Sequence, residues 1–266
     1  VIFSFLTLVL VVGAFASIVA GTFNGFMTDA SGALVHNHVN GSTATISLLF
    51  IVLAVIFGLL VYRFEMPLGR ATLLGVAGIV GVIALGLRFP LYAGYDTWMW
   101  LLGLYILVAS VTPVWILLQP RDYLSSFLLY AMMLAAVVGI VAAHPVIELP
   151  AFTSFEVNGQ YLFPALFVTV ACGAISGFHS LVASGTTSKQ LSSERDARLV
   201  GFGSMLIESA LGIASLIAVG YIFTQNGHAF TSQTPTQVLA DGLSQMLACV
   251  GLGSESARGV TYGLII

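Results

Sequence analysis

Charge is scarce in this 266-residue chain: 7% of its residues are Asp, Glu, Lys or Arg, eight basic and eleven acidic. With 58% hydrophobic residues and a mean hydropathy of +1.03, it has too little polar surface to clothe a water-facing exterior, so an ordinary soluble domain is excluded. The few basic residues form no stripe, which excludes a nucleic-acid groove. Cysteine is scarcer still. Cys172 and Cys249 both fall in apolar sequence and read as small buried hydrophobes, with no disulfide framework or metal knot. No catalytic nucleophile or zinc signature accompanies the acids and histidines, and no cofactor is implied. Ser184 to Lys189 lacks the G-x-x-x-x-G-K-[ST] spacing and the preceding strand of a phosphate-binding loop.

What the chain does have is long apolar runs, each of about 18 to 25 residues, enough to cross roughly 30 Å of hydrocarbon as a helix; barrel strands read as shorter alternating segments. The expected fold class is therefore all-α, a polytopic helical membrane protein of seven to eight spans. The spans are Val1 to Ala20, Ala44 to Tyr62, Ala71 to Leu87, Trp98 to Leu118, Leu124 to Ala143, Leu162 to about Val182, and Leu199 to Phe223. Thr236 to Gly251 is shorter and carries Asp241, Gln245 and Cys249, so it reads equally as a re-entrant or interfacial helix or as an eighth crossing. Val1 lies inside apolar sequence without an initiator methionine, and the expectation is a portion of a longer product. The first run is too long for a signal peptide and has no basic flank.

Orientation follows from the basic residues. Arg63, Arg70, Arg121, Lys189, Arg195 and Arg198 lie in loops after the second, fourth and sixth spans, against Arg88 and Arg258 on the other side. That asymmetry places the start of the chain in the cytoplasm and the loops around Asn37, Tyr95 and Phe155 outside. Tyr92, Tyr95, Trp98 and Trp100 cluster where amphipathic rings sit at headgroup level. His36-Asn37-His38 on that side reads as a solvated loop rather than a metal site.

Several features are architectural. Gly75, Gly78, Gly81 and Gly86 flatten the third span for close helix packing, which in lipid is driven by van der Waals contact. Pro113 is expected to bend the fourth span. Asp122 is expected to cap the helix after Gln119-Pro120, with Arg121 as an interfacial anchor, and Ser193-Glu194-Arg195-Asp196 reads as a capping box.

Two stretches carry candidate chemistry. The sixth run accumulates Gly173, Ser176, Gly177, His179, Ser180, Ser184, Gly185 and Thr186 before any charge, with Gly173, Gly177, Ser180 and Ser184 on one helical face. This reads either as a small-residue packing seam or, as favoured here, as a discontinuous helix whose freed backbone groups line a binding site. In the seventh run Gly201, Ser204, Glu208, Gly212 and Ser215 make a narrow polar stripe, and Glu208 stands near the middle of an otherwise uncharged span. A carboxylate at that depth is costly unless paired, hydrated or protonated, and so points to ion handling.

Arg121-Asp122-Tyr123-Leu124-Ser125, Leu162-Phe163-Pro164, Ala171-Cys172-Gly173-Ala174-Ile175-Ser176-Gly177-Phe178-His179-Ser180-Leu181, Ser184-Gly185-Thr186-Thr187-Ser188-Lys189 and Met205-Leu206-Ile207-Glu208-Ser209 resemble, in order and spacing, the central motifs of the carbon starvation protein A family. The resemblance covers about residues 98 to 221. It implies a bacterial or archaeal cytoplasmic-membrane transporter for peptides or pyruvate, coupled to a proton or sodium gradient, with helices arranged in the manner of the amino acid, polyamine and organocation transporters. Residues 1–266 then form one transmembrane domain from the central portion of a longer family domain. Combined with the residue reading, it assigns substrate binding to Ser176, Gly177, His179, Ser180, Gly185 and Thr186, and ion coupling to Glu208 and Ser204. A channel or a structural subunit of a membrane complex is the alternative; oligomeric state is left open.

Overall fold

The computed structural model describes residues 2–28, 33–113, 115–146, 152, 154–157, 159–168, 170–171, 189, 191–226, 235–251 and 261. The described elements are α1 (Ile2–Phe23), a hairpin of β1 (Phe26–Thr28) and β2 (Leu34–His36), α2 (His38–Tyr62), α3 (Leu68–Arg88), α4 (Tyr95–Val111), α5 (Leu118–Ala143), and a two-residue pair β3 (Glu156–Val157) and β4 (Gln160–Tyr161). A π-helical turn at Leu162–Leu166 follows, then α6 (Asp196–Asn226) and α7 (Pro235–Ala248). Among them α1, α2, α3, α5 and α6 contain runs long and apolar enough to cross a bilayer. The chain is an all-α, multi-pass membrane protein.

Two helices organise the bundle. α2 runs beside α3, and Phe57, Ala71, Ile79 and Leu124 form a core where α5 joins them. The far half of α5 builds a second core, Met132 and Ala136 with Ala214 and Ala218 of α6 and Leu243 and Met246 of α7. A third, smaller core joins Ala20 of α1, Ala44 of α2 and Trp98 of α4. Small residues set the spacing. A methyl at Gly86 would stand 2.2 Å from Ile46 Cγ1 and 3.1 Å from its backbone nitrogen, and one at Gly242 would stand 2.6 Å from the carbonyl oxygen of Ala218. Gly75 and Gly78 are equally close to side chains of Leu124 and Leu53, whereas Gly69 and Gly81 face open space, so three of the five α3 glycines serve packing.

Hydrogen bonds fix which helix ends lie together. Gly25 N–H donates to Ala93 O, Leu91 N–H to Gly41 O, and Asn37 N–H to Gly25 O, tying the β1–β2 hairpin to the α3–α4 turn at one end. At the opposite end Tyr62 Oη donates to Gln119 Oε1 at 3.0 Å. Alternation of α1 to α5 across the membrane follows.

The boundaries depart from expectation in physically informative ways. α2 begins at His38 rather than Ala44, capped by Asn37, whose side chain accepts from Asn40 N–H, so Asn40, Ser42 and Thr43 are buried inside the helix. Pro113 does not bend α4: the helix ends at Val111, because proline disfavours helical backbone at the residue before it, and Thr112 is extended at ψ 133°. α5 starts at Leu118, so Asp122 sits within its first turns and pairs with Arg121 at 3.0 Å instead of capping. Ser193 Oγ accepts from Arg195 N–H at 3.3 Å, a local turn ahead of α6 rather than a capping box. Trp98 is 1% exposed, packed edge-on to Phe23 at 5.2 Å, and is no interfacial anchor. Cys249 is exposed rather than buried, while Cys172 lies outside the described residues. α7 is a 14-residue helix, about 21 Å long, too short to cross and buried on nearly every side against α5 and α6.

Candidate functional site

α6 separates two faces. Leu211, Ala214 and Ala218 turn towards α5 and α7, while Glu208 stands about 60° from Leu211 and about 120° from Ala214 around the helix. Gly201, Ser204, Glu208 and Gly212 are exposed and Ser215 is half-buried, so the polar stripe runs along a flank that no described helix covers. Its hydroxyls turn back on their own helix: Ser204 Oγ donates to Val200 O, and Ser215 Oγ to Leu211 O at 2.8 Å. Ser204 therefore lies one turn from Glu208 without bonding to it. The six residues assigned to substrate, Ser176, Gly177, His179, Ser180, Gly185 and Thr186, lie outside the described residues, as does all of the expected helix break beyond Ala171.

A buried polar cluster that the sequence reading did not single out joins the starts of α2 and α7. Asn40, 7% exposed, donates through Nδ2 to Asn24 O at 2.9 Å and accepts at Oδ1 from Gln237 Nε2 at 2.7 Å. Ser42 Oγ meets His38 Nδ1 at 3.4 Å. On α7, Asp241 is 7% exposed, and its backbone carbonyl accepts from Ser244 Oγ at 2.8 Å. The signal for this cluster was the spacing Gln237, Asp241, Ser244, which places three polar groups on one helical face amid Leu239, Leu243 and Met246. Such groups persist in a membrane bundle because they satisfy one another where lipid cannot.

A third feature is a cavity of about 470 Å³ between α1, α2, α4 and α5. Its walls are apolar, with Val12, Phe15 and Val19 on one side and Leu48, Ile51 and Leu102 on the other. Arg121, Tyr105 and Ser125 supply polar groups, and Trp98 lines it too. The Trp98 indole N–H has no hydrogen-bond partner among the described residues. Two guanidinium donors of Arg121, Nε and Nη2, both go to Asp122 Oδ1 at 3.2 and 3.0 Å, and Tyr105 also meets the guanidinium, which still leaves N–H groups of its five for another acceptor.

Among the described residues no group of three His, Cys, Asp or Glu side chains is placed to hold a metal ion. His36 instead sits among rings, 4.5 Å from Tyr92 and 5.3 Å from Phe26.

Comparison with known proteins adds the remaining evidence. The family model described as carbon starvation protein CstA matches residues 1–259. The peptide transporter CstA of Bacillus subtilis is 38% identical over 233 residues, 84% of this chain and 35% of the relative. That of Mycobacterium tuberculosis H37Rv is 36% identical over 227 residues, 71% of this chain and 30% of the relative. The pyruvate/proton symporter BtsT of Escherichia coli K12 is 44% identical over 137 residues, 49% of this chain and 19% of the relative. The chain thus spans about a third or less of these relatives. No solved structure matches.

Proposed function

Because this chain belongs to the carbon starvation protein CstA family, we propose that it forms part of a secondary active transporter that moves small carboxylate-bearing nutrients, peptides or pyruvate, across the cytoplasmic membrane with a proton or sodium ion. The observation that carries the reading is the family match along almost the whole of a chain whose described residues include five helices long and apolar enough to cross a membrane. Relatives named for peptide transport and for pyruvate/proton symport support the substrate class. The domain extends over residues 1–266 as the central portion of a longer family domain.

In this reading Glu208 binds the coupling ion. It is a mid-span carboxylate on a stripe of small and hydroxyl residues, and an ionised carboxylate is tolerated in a membrane only where it is paired, hydrated or neutralised by protonation. The substrate carboxylate binds Ser176, Gly177, His179, Ser180, Gly185 and Thr186, because freed backbone N–H groups and hydroxyls hold an anion at bilayer depth without a full positive charge. The cytoplasmic start of the chain follows from the arginine asymmetry.

The test is uptake of labelled pyruvate and dipeptides into vesicles carrying the full-length product, with imposed proton or sodium gradients. Saturable accumulation is expected, with Glu208→Gln abolishing accumulation while substrate exchange at equal concentrations survives. Normal concentrative uptake by the Gln variant overturns the coupling role, and flux that fails to saturate points to a channel instead.

A further inference from the structure

We infer that the cavity between α1, α2, α4 and α5 is a binding site for one anionic phospholipid of the surrounding bilayer, with the headgroup phosphate at Arg121 and an acyl chain in the apolar slot. The slot is elongated. On α1 it runs from Phe23 to Val12, eleven residues, or about 16 Å at 1.5 Å per residue. Its walls offer an acyl chain van der Waals contact along this length, with Ser47, Trp98, Tyr105, Arg121 and Ser125 as the polar-bearing residues of the lining. Phe15 at 61% exposure, Leu48 at 42% and Leu101 at 46% line the slot and are also open to the outside of the bundle. Among the described residues the cavity is therefore open on its outer side.

Charge complementarity selects the headgroup. Arg121 is the cation among the cavity-lining residues, half-buried at its end; it pairs with one Asp122 oxygen and also meets Tyr105, and the N–H groups of its fork that these two leave can turn to a phosphate, which matches that geometry. Ser125, one turn further along α5, adds a hydroxyl. The depth is right as well. Tyr62 and Trp115, whose rings meet at 5.9 Å, are partly exposed at the same end of the bundle, where Tyr62 also bonds Gln119, and such rings mark headgroup level. Arg63 and Arg70 are exposed at that end and add to the positive potential. Basic pockets between transmembrane helices take anionic headgroups by these same forces.

The experiment uses the full-length product in nanodiscs that contain phosphatidylcholine with trace amounts of a photoactivatable acyl-chain phosphatidylglycerol. Wild-type protein is expected to crosslink at cavity-lining peptides of α1 or α4, and competition by unlabelled phosphatidylglycerol should exceed that by phosphatidylcholine. Arg121→Gln should lower crosslinking about fivefold, as loss of one lipid-facing basic residue implies. Ala16→Trp, which fills the slot and leaves Arg121 intact, should do the same, and it keeps the test open if the Arg121 variant does not fold. Displacement by inorganic phosphate or pyruvate as effective as that by phosphatidylglycerol overturns the lipid assignment in favour of a solute site. Equal labelling by the two lipids, or labelling unaffected by Ala16→Trp, overturns it in favour of unselective bilayer contact.

Discussion

A carboxamide inside a membrane bundle must find its partners within the protein. Asn40 does so twice, with Asn24 O from a neighbouring loop and with Gln237 from a helix 197 residues away. Removing either partner costs the other one of its hydrogen bonds. Asn40→Leu and Gln237→Leu should each destabilise the protein, and the double variant should lose less than the sum. The coupling expected from a thermodynamic cycle of unfolding in mixed micelles is about 0.6 to 1.7 kcal/mol, the range for interhelical hydrogen bonds in membranes. A coupling of zero would show that the bond contributes only geometry. This pair also marks a limit of reading sequence alone. Asn40, Ser42 and Thr43 look like loop residues, so the span was placed from Ala44; their burial depends on partners that no local window contains. Trp98 misled for the same reason, since an aromatic near a span end reads as an anchor until Phe23 and Ala44 are seen to enclose it.

At the scale of elements, run length made most helices legible: α1, α3 and α6 lie within a few residues of the expected spans because hydrophobic thickness alone sets their extent. Helix ends were less legible, since capping depends on backbone geometry that competing Ser, Asp and Pro residues allow in more than one register. The candidate site divides likewise: the Glu208 stripe follows from helical periodicity, whereas the Asp241 face was visible as a spacing but not as buried. Close packing makes a sharper forecast. Gly86→Val drives a side chain into Ile46, including its backbone nitrogen, and should cost about 1 to 3 kcal/mol, read as a lowered thermal midpoint in detergent. Gly81→Val, five residues away on the same helix but on an open face, should change stability by less than about 0.5 kcal/mol. Equal losses in both would mean that the α2–α3 seam is not what holds these helices together.

For the molecule as a whole, alternation of helix ends makes a topological prediction. Cysteines placed at Asn37 and Gly94, in a background without native thiols, should react with the same impermeant reagent from the outside, because Gly25, Ala93 and Asn37 are bonded at one end. A cysteine at Gly69, beside Arg63 and Arg70, should be protected until the membrane is opened. Labelling of Asn37 and Gly69 from one side contradicts the arrangement, and the reverse pattern inverts the orientation. The tie between Asn40 and Gln237 also sets a schedule for biogenesis. At about 5 to 20 residues per second, a ribosome takes roughly 10 to 40 s to make the chain between them. For that interval α2 is made while its partner at Gln237 has not been synthesised, so the early helices must be stable enough, or held by the insertion machinery long enough, to wait for α7.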